Sequence, residues 1–92
     1  MYLVIDGAAI PDREALHDLL ARELALPAWY GRNLDALHDC LTDRAEPLDI
    51  IFLHQELLEE KLGVYGASLR RVLLDSAREN PGLRIYTAEP LK

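Results

Sequence analysis

Three short apolar runs, each bounded by turn-forming residues, predict the strands of a β-sheet. They cover Tyr2 to Ile5, Leu48 to Leu53 and Leu83 to Thr87. In the last run Leu83, Ile85 and Thr87 alternate with Arg84 and Tyr86, the pattern expected where one face of a sheet is exposed to solvent.

Between the strands, apolar residues recur every three or four positions and predict four helices. Asp12 and Asn33 are suited to cap the first two helices, and Pro27 is expected to break the first. The fourth helix is expected to begin at about Gly66 or Ser68. The positions expected to face the core are, helix by helix, Leu16, Leu19, Leu20 and Leu24; Leu34, Leu37 and Leu41; Leu57, Leu58 and Leu62; and Leu69, Val72, Leu73 and Ala77.

The order of the elements is strand, two helices, strand, two helices, strand. Helical crossovers between successive strands favour parallel pairing with right-handed connections. The sequence therefore predicts an α/β fold in which a three-stranded parallel sheet is packed with helices in two layers. We expect one domain over residues 1–92, monomeric when free.

The charge balance favours some partners over others. The chain has 16 acidic and 10 basic residues and a net charge of −6. Such a field repels nucleic acids and anionic membrane surfaces, so we expect neither as a partner. Many proteins are acidic only for solubility, so the position of the charges decides whether they mark a binding surface.

Three further features indicate where the protein acts. Cys40 is the only cysteine, which excludes an internal disulfide framework and favours a reducing cytoplasm. The longest apolar runs, such as Ile50 to Leu53, are too short to cross a bilayer. The first six residues lack the basic leader of a secretory signal, so we expect a cytoplasmic protein.

The second predicted helix carries the most informative cluster. Asp35, Asp39 and Asp43 are spaced four residues apart and form an acidic stripe opposite its leucines. Such a stripe is either an ordinary solvated face or a binding surface. Trp29 and Tyr30 in the preceding loop favour the second interpretation, since two adjacent aromatics are hard to bury together.

Catalytic and metal-binding alternatives are less well supported. His38 beside two aspartates is a candidate general acid or base, but no nucleophile is placed for it to activate. Cys40 lies on a different helical face and is expected to be a partly buried apolar residue. A metal site built from Asp35, His38 and Asp39 would be shallow and without supporting ligands. We therefore expect no enzyme activity and no cofactor. His17, assigned to the polar side of the first helix, is expected to be structural or solvent-facing.

The segment from Glu23 to Thr42 closely resembles the signature of the barstar family, intracellular inhibitors of barnase-like ribonucleases. Its specific features are Leu-Pro-Ala-Trp-Tyr-Gly in the loop, followed after one residue by Asn-Leu-Asp-Ala-Leu. This block is about a fifth of the chain. The order of the remaining elements is similar to that of the family fold.

The resemblance implies that the acidic helix and its loop enter the cleft of a ribonuclease. Trp29 would stack at the mouth of the cleft, with Asn33 and Asp35 as polar contacts. Asp39 would stand in for a substrate phosphate, paired with the arginines and the general-acid histidine of the enzyme. The residues predicted to bind the partner are Trp29, Tyr30, Asn33, Leu34, Asp35, His38, Asp39, Thr42, Asp43 and Arg44.

Several positions depart from the first representative of the family. It has tryptophan at the position of His38, glutamate at that of Arg32, and glycine and tryptophan at those of Asp43 and Arg44. The basic residues Arg32 and Arg44 beside the acidic stripe suggest a partner with a complementary negative rim.

An acidic contact expected from the fourth helix falls at Ser76, with Asp75 and Glu79 nearby as replacements. The leading hypothesis is a proteinaceous inhibitor, an immunity protein, for a small, basic, secreted ribonuclease of the barnase-like guanyl type. The alternative is a barstar-like binding module whose partner is not a nuclease.

Overall fold

Three strands and four helices follow one another in the order that the hydrophobic pattern predicts. The structure is a computed structural model and describes residues 1–88. Its elements are β1 (Tyr2–Asp6), α1 (Arg13–Glu23), α2 (Leu34–Thr42), β2 (Leu48–Leu53), α3 (Gln55–Leu62), α4 (Val64–Glu79) and β3 (Leu83–Ala88).

The strands form one parallel sheet in the order β1-β2-β3, with β2 at its centre. Leu3 of β1 is paired with Ile50 of β2, which is in turn paired with Ile85 of β3. One face of the sheet is buried under the helices, whereas Tyr2 and Tyr86 on the other face are exposed. The predicted two-layer α/β fold is confirmed.

A single cluster of apolar side chains joins the helices to the buried face of the sheet. Burial of one such side chain contributes about 1.5–3 kcal/mol to stability. The fully buried members from the helices are Leu16 and Leu20 of α1, Leu37 and Leu41 of α2, Leu58 of α3, and Leu69 and Leu73 of α4. The predicted positions Leu34, Val72 and Ala77 pack at the edge of this cluster.

Two helix boundaries differ from the prediction. Helix α1 ends at Glu23, before Pro27, because the backbone turns into the left-handed region at Ala25, where φ is 52°. Helix α4 begins at Val64, before Gly66. Gly66 lies inside the helix, where a Cβ atom would be 2.9 Å from the Cα atom of Glu59 in α3. The glycine therefore permits close packing of α3 on α4 and does not mark a helix start.

A buried hydroxyl in α4 is expected to lower the stability of the protein. Ser76 of α4 is fully buried, and its Oγ atom has no hydrogen-bond partner among the described residues 1–88. We expect Ser76→Ala to raise the free energy of unfolding by up to about 1 kcal/mol, because an unsatisfied polar group is removed from the core. Urea denaturation measures this change, with Ser68→Ala in the same helix as the control. A loss of stability at Ser76 would show that its hydroxyl is bonded in solution.

Candidate functional site

Asn33 begins α2 and fixes the loop that precedes it. Its Oδ1 atom accepts a hydrogen bond from the backbone N–H of Ala36 at 2.7 Å, which confirms the predicted N-cap. Its Nδ2 atom donates to the carbonyl oxygen of Gly31 at 3.2 Å. One side chain thus joins the loop to the first turn of the helix.

Arg32 holds the same loop against α1. Its guanidinium donates to the carboxylate of Asp18 at 2.6 Å and to the carbonyl oxygen of Glu14 at 3.2 Å. The backbone of Arg32 is left-handed, with φ of 55°, a conformation unusual for a residue with a side chain. The charge of Arg32 is thus paired within the chain, and its contact with a negative rim of the partner stays a prediction.

The two adjacent aromatics of the loop have opposite environments. Trp29 is 81% exposed, whereas Tyr30 is 6% exposed, as expected if only one of them can be buried. The Tyr30 hydroxyl lies 2.8 Å from Nδ1 of His17, and burial raises the pKa of Tyr30 to about 12. Tyr30 therefore supports the loop from the core, while Trp29 is presented to solvent; a contact of Tyr30 with the partner stays a prediction.

The aspartates of α2 lie on its outer face, as predicted. Leu37 and Leu41 are buried on the inner face, and Asp35, Asp39 and Asp43 are exposed on the other. The Asp39 side chain is 87% exposed, and its Oδ1 atom lies 4.0 Å from Nδ1 of His38. No arginine or lysine of residues 1–88 pairs with any of the three aspartates, so the stripe is available to an external cation.

A shallow depression of about 220 Å³ lies between the Trp29 loop and α2. Burial, together with the charges of Asp39 and Asp43, raises the pKa of the Cys40 thiol in its wall. Cys40 therefore behaves as the partly buried apolar residue that the sequence predicts. The lining residues are Trp29, Tyr30, Gly31, Ala36, Asp39, Cys40 and Asp43.

Helix α4 adds a carboxylate that the sequence could not assign. Oε2 of Glu79 lies 3.0 Å from Nε2 of His38, so His38 is placed between Glu79 and Asp39. Ser76 is buried and presents nothing to a partner, which corrects the expected position of this contact. Asp75 pairs with Arg78 at 3.4 Å. Of the two acidic candidates, Glu79 is the one that contacts α2.

Three remaining predicted contacts differ in how far they reach the surface. Leu34 is half-buried at the edge of the core. The hydroxyl of Thr42 donates to the carbonyl oxygen of His38 at 2.9 Å, within the helix. The Arg44 side chain is only 18% exposed and is directed to Met1 at the start of β1. Arg44 is therefore largely covered, and its contact with a partner stays a prediction.

The chemistry of this surface is that of a cation-binding face. Exposed carboxylates on a helix bind guanidinium and imidazolium groups, and Trp29 adds a flat apolar contact. Within residues 1–88, no group of three or more His, Cys, Asp or Glu side chains is arranged to hold a metal ion. None of the helices in that range has the length and apolar character needed to span a membrane.

Comparison with known proteins covers nearly the whole chain. The family model described as "Barstar (barnase inhibitor)" matches residues 1–87. A protein of Bacillus subtilis (strain 168) named "Putative ribonuclease inhibitor YrdF" is 38% identical over 78 residues, which make up 84% of this chain and 86% of that protein. The family match therefore extends beyond the signature segment to all three strands and all four helices.

The role of Asn33 can be separated into its two parts by mutation. We expect Asn33→Ala to lower the free energy of unfolding by about 1 kcal/mol, because the N-cap of α2 is lost. Asn33→Asp keeps the acceptor that caps the helix and should retain most of that stability. Thermal or urea denaturation of the free protein measures both. Equal losses in the two variants would contradict a capping role.

Proposed function

The chain belongs to the barstar family, and from this membership and the geometry of α2 we propose that it inhibits a small, basic, barnase-like ribonuclease of the guanyl type. The observation that carries the proposal is the carboxylate of Asp39, which is exposed, lacks a lysine or arginine partner within residues 1–88, and borders the depression beside Trp29. A ribonuclease cleft built to bind phosphate is lined with the cations that such a carboxylate needs.

In this proposal the inhibitor acts by covering the cleft and mimicking the substrate. Asp39 takes the place of a substrate phosphate and binds arginines, since a guanidinium binds a carboxylate and a phosphate in the same bidentate way. Asp35 and Asp43 extend the negative surface along the helix, and Trp29 packs at the edge of the cleft. The depression beside Asp39 has room for a side chain of the enzyme, such as its general-acid histidine.

The charge of the whole chain supports rapid binding. A net charge of −6 attracts a basic enzyme over a distance, and the exposed aspartates direct that attraction to α2. We place this encounter in the cytoplasm, where an immunity protein would protect the cell from a ribonuclease made for secretion. The free inhibitor is proposed to be a monomer, and the two proteins would form a toxin–antitoxin pair.

One feature of α2 supports the alternative partner, a protein that is not a nuclease. His38 replaces the tryptophan of the first family representative, and it is bonded to Glu79 at the centre of the site. This change replaces a large apolar side chain of the surface with a smaller polar one. Binding to a barnase-type ribonuclease distinguishes the two candidates, because only the inhibitor hypothesis requires it.

Asp39 provides the sharpest test of phosphate mimicry. Asp39→Ala should weaken binding to a barnase-type ribonuclease by at least about 2 kcal/mol, mainly through faster dissociation, because the cations of the enzyme are left unpaired. Asp39→Asn should lose much of the same affinity, since it keeps the shape and removes the charge. Stopped-flow and surface-plasmon-resonance kinetics at two salt concentrations measure both rates, and association should slow steeply with salt.

Glu60→Ala is the matched control for these variants. It removes one exposed carboxylate from α3, so the net charge changes equally while α2 is untouched. Its dissociation rate should equal that of the parent. Wild-type affinity in both Asp39 variants would show that Asp39 is an ordinary solvated residue.

Glu79 and Asp75 are compared in a second binding test. Glu79→Gln should weaken binding by about 1 kcal/mol, because Glu79 adds a carboxylate from α4 to the surface of α2. Asp75→Asn should have little effect, since Asp75 is paired with Arg78. Isothermal titration with the same ribonuclease measures both. A larger loss at Asp75 than at Glu79 would move the contact surface one turn along α4.

A further inference from the structure

A buried histidine connects the binding loop to two helices. His17 of α1 is 3% exposed, which corrects its assignment to the polar side of that helix. Its Nδ1 atom lies 2.8 Å from the hydroxyl of Tyr30 in the loop, and its Nε2 atom lies 2.6 Å from the hydroxyl of Tyr65 in α4. Both ring nitrogens are therefore bonded, and three segments distant in sequence are joined at one side chain.

The surroundings of His17 favour its neutral form. The charged groups that face it are Arg13 of α1, which lies 4.2 Å from the centre of the Tyr65 ring, Arg32 of the loop, and Asp18, which is paired with Arg32. Burial first, and then the charges of Arg32 and Arg13, lower the pKa of His17 below 6.5, while Asp18 opposes them. A neutral imidazole has one donor and one acceptor nitrogen, so one tyrosine hydroxyl donates to it and the other accepts from it.

Tyr30 is the member of this cluster that reaches the binding surface. It follows Trp29 directly, lines the depression beside Asp39, and is buried while Trp29 is exposed. Its backbone N–H donates to the carbonyl oxygen of Pro27 at 2.9 Å, which closes the loop. The position of Trp29 therefore depends on whether the Tyr30 ring stays in the core.

We propose that His17 is the positioning residue of the Trp29 loop: its neutral imidazole holds Tyr30 in the core, and its protonation releases the loop and lowers affinity for the ribonuclease. The part of this proposal that concerns affinity rests on the proposed function, and the part that concerns the loop does not. The proton is taken up from solvent, and the resulting imidazolium is buried near two arginines. Within residues 1–88, the carboxylate that acts on it is that of Asp18, which is paired with Arg32.

The direction of the pH effect follows from the lowered pKa. The folded protein binds this proton less readily than the unfolded chain, so the stabilisation is complete above pH 6.5, the ordinary value for histidine. It is lost as the pH falls below that value and through the pKa of the folded state. The loop should therefore be most rigid at neutral pH and loosen in mild acid.

Trp29 is the only tryptophan of the chain, so its fluorescence reports on the loop without any partner. We expect the fluorescence anisotropy of Trp29 to fall between pH 8 and pH 5, in a transition with its midpoint below 6.5. His17→Gln should abolish this transition, because glutamine cannot take up the proton. His38→Gln and His54→Gln are the matched controls and should retain it. A transition that persists in His17→Gln, or disappears in His38→Gln, would overturn the proposal.

Tyr65→Phe tests the same network from α4 and keeps the proposal testable if His17→Gln does not fold. It removes one hydroxyl from a residue that does not line the depression. At pH 8 we expect lower anisotropy of Trp29 and stronger quenching by acrylamide than in the parent, because His17 is no longer held on one side. Unchanged values of both would show that the network does not position the loop.

Binding at two pH values completes the experiment. The affinity of the parent and of His17→Gln for a barnase-type ribonuclease is measured at pH 7.5 and pH 5.5. The titration of the enzyme itself cancels when the two inhibitors are compared at the same pH. The parent should lose roughly fivefold more affinity than His17→Gln between these values, the worth of about one hydrogen bond. Equal losses of affinity in the parent and in His17→Gln would overturn the claim that protonation of His17 weakens binding. The absence of binding at either pH would overturn the proposed function. In that case the fluorescence of Trp29 still decides whether His17 positions the loop.

Discussion

The burial of Leu37 and Leu41 in the core is the constraint on which the proposed binding surface depends. These two leucines fix the rotation of α2 about its axis, so the aspartates on the opposite side must face solvent. Replacement of a buried leucine by alanine costs about 2–5 kcal/mol, far more than the repulsion among exposed aspartates, which is a few tenths of a kcal/mol per pair. The core therefore holds the acidic stripe in place against the repulsion among its carboxylates.

The fold could be predicted because the patterns that specify its helices and strands lie within short stretches of the sequence. The period of the leucines identifies each helix, the apolar runs identify the strands, and Asp12 and Asn33 mark two helix starts by a hydrogen bond made three residues along the chain. The boundaries that were missed depend on backbone geometry and packing. Ala25 turns left-handed before Pro27 is reached, and Gly66 lies inside α4 because α3 passes close to it.

The candidate site could be predicted only in part, because several of its side chains are placed by contacts between residues that are distant in the sequence. The stripe of aspartates follows from helical spacing, but the pairing of His38 with Glu79 spans 41 residues and that of His17 with Tyr65 spans 48. No local sequence pattern predicts contacts between residues so far apart in the chain. The same reason explains Arg44, whose sequence position suggests a surface charge while its side chain is covered beside Met1.

If this chain covers the active site of a barnase-like ribonuclease, as proposed, it must inhibit RNA cleavage by such an enzyme. A fixed amount of a barnase-type ribonuclease is titrated with the protein, and residual cleavage of RNA is followed, with a pancreatic-type ribonuclease of unrelated fold as the control. We expect the activity of the first enzyme to fall linearly to zero at one equivalent of inhibitor, while the second enzyme is unaffected. Full activity of the barnase-type enzyme in a large excess of the protein would contradict it.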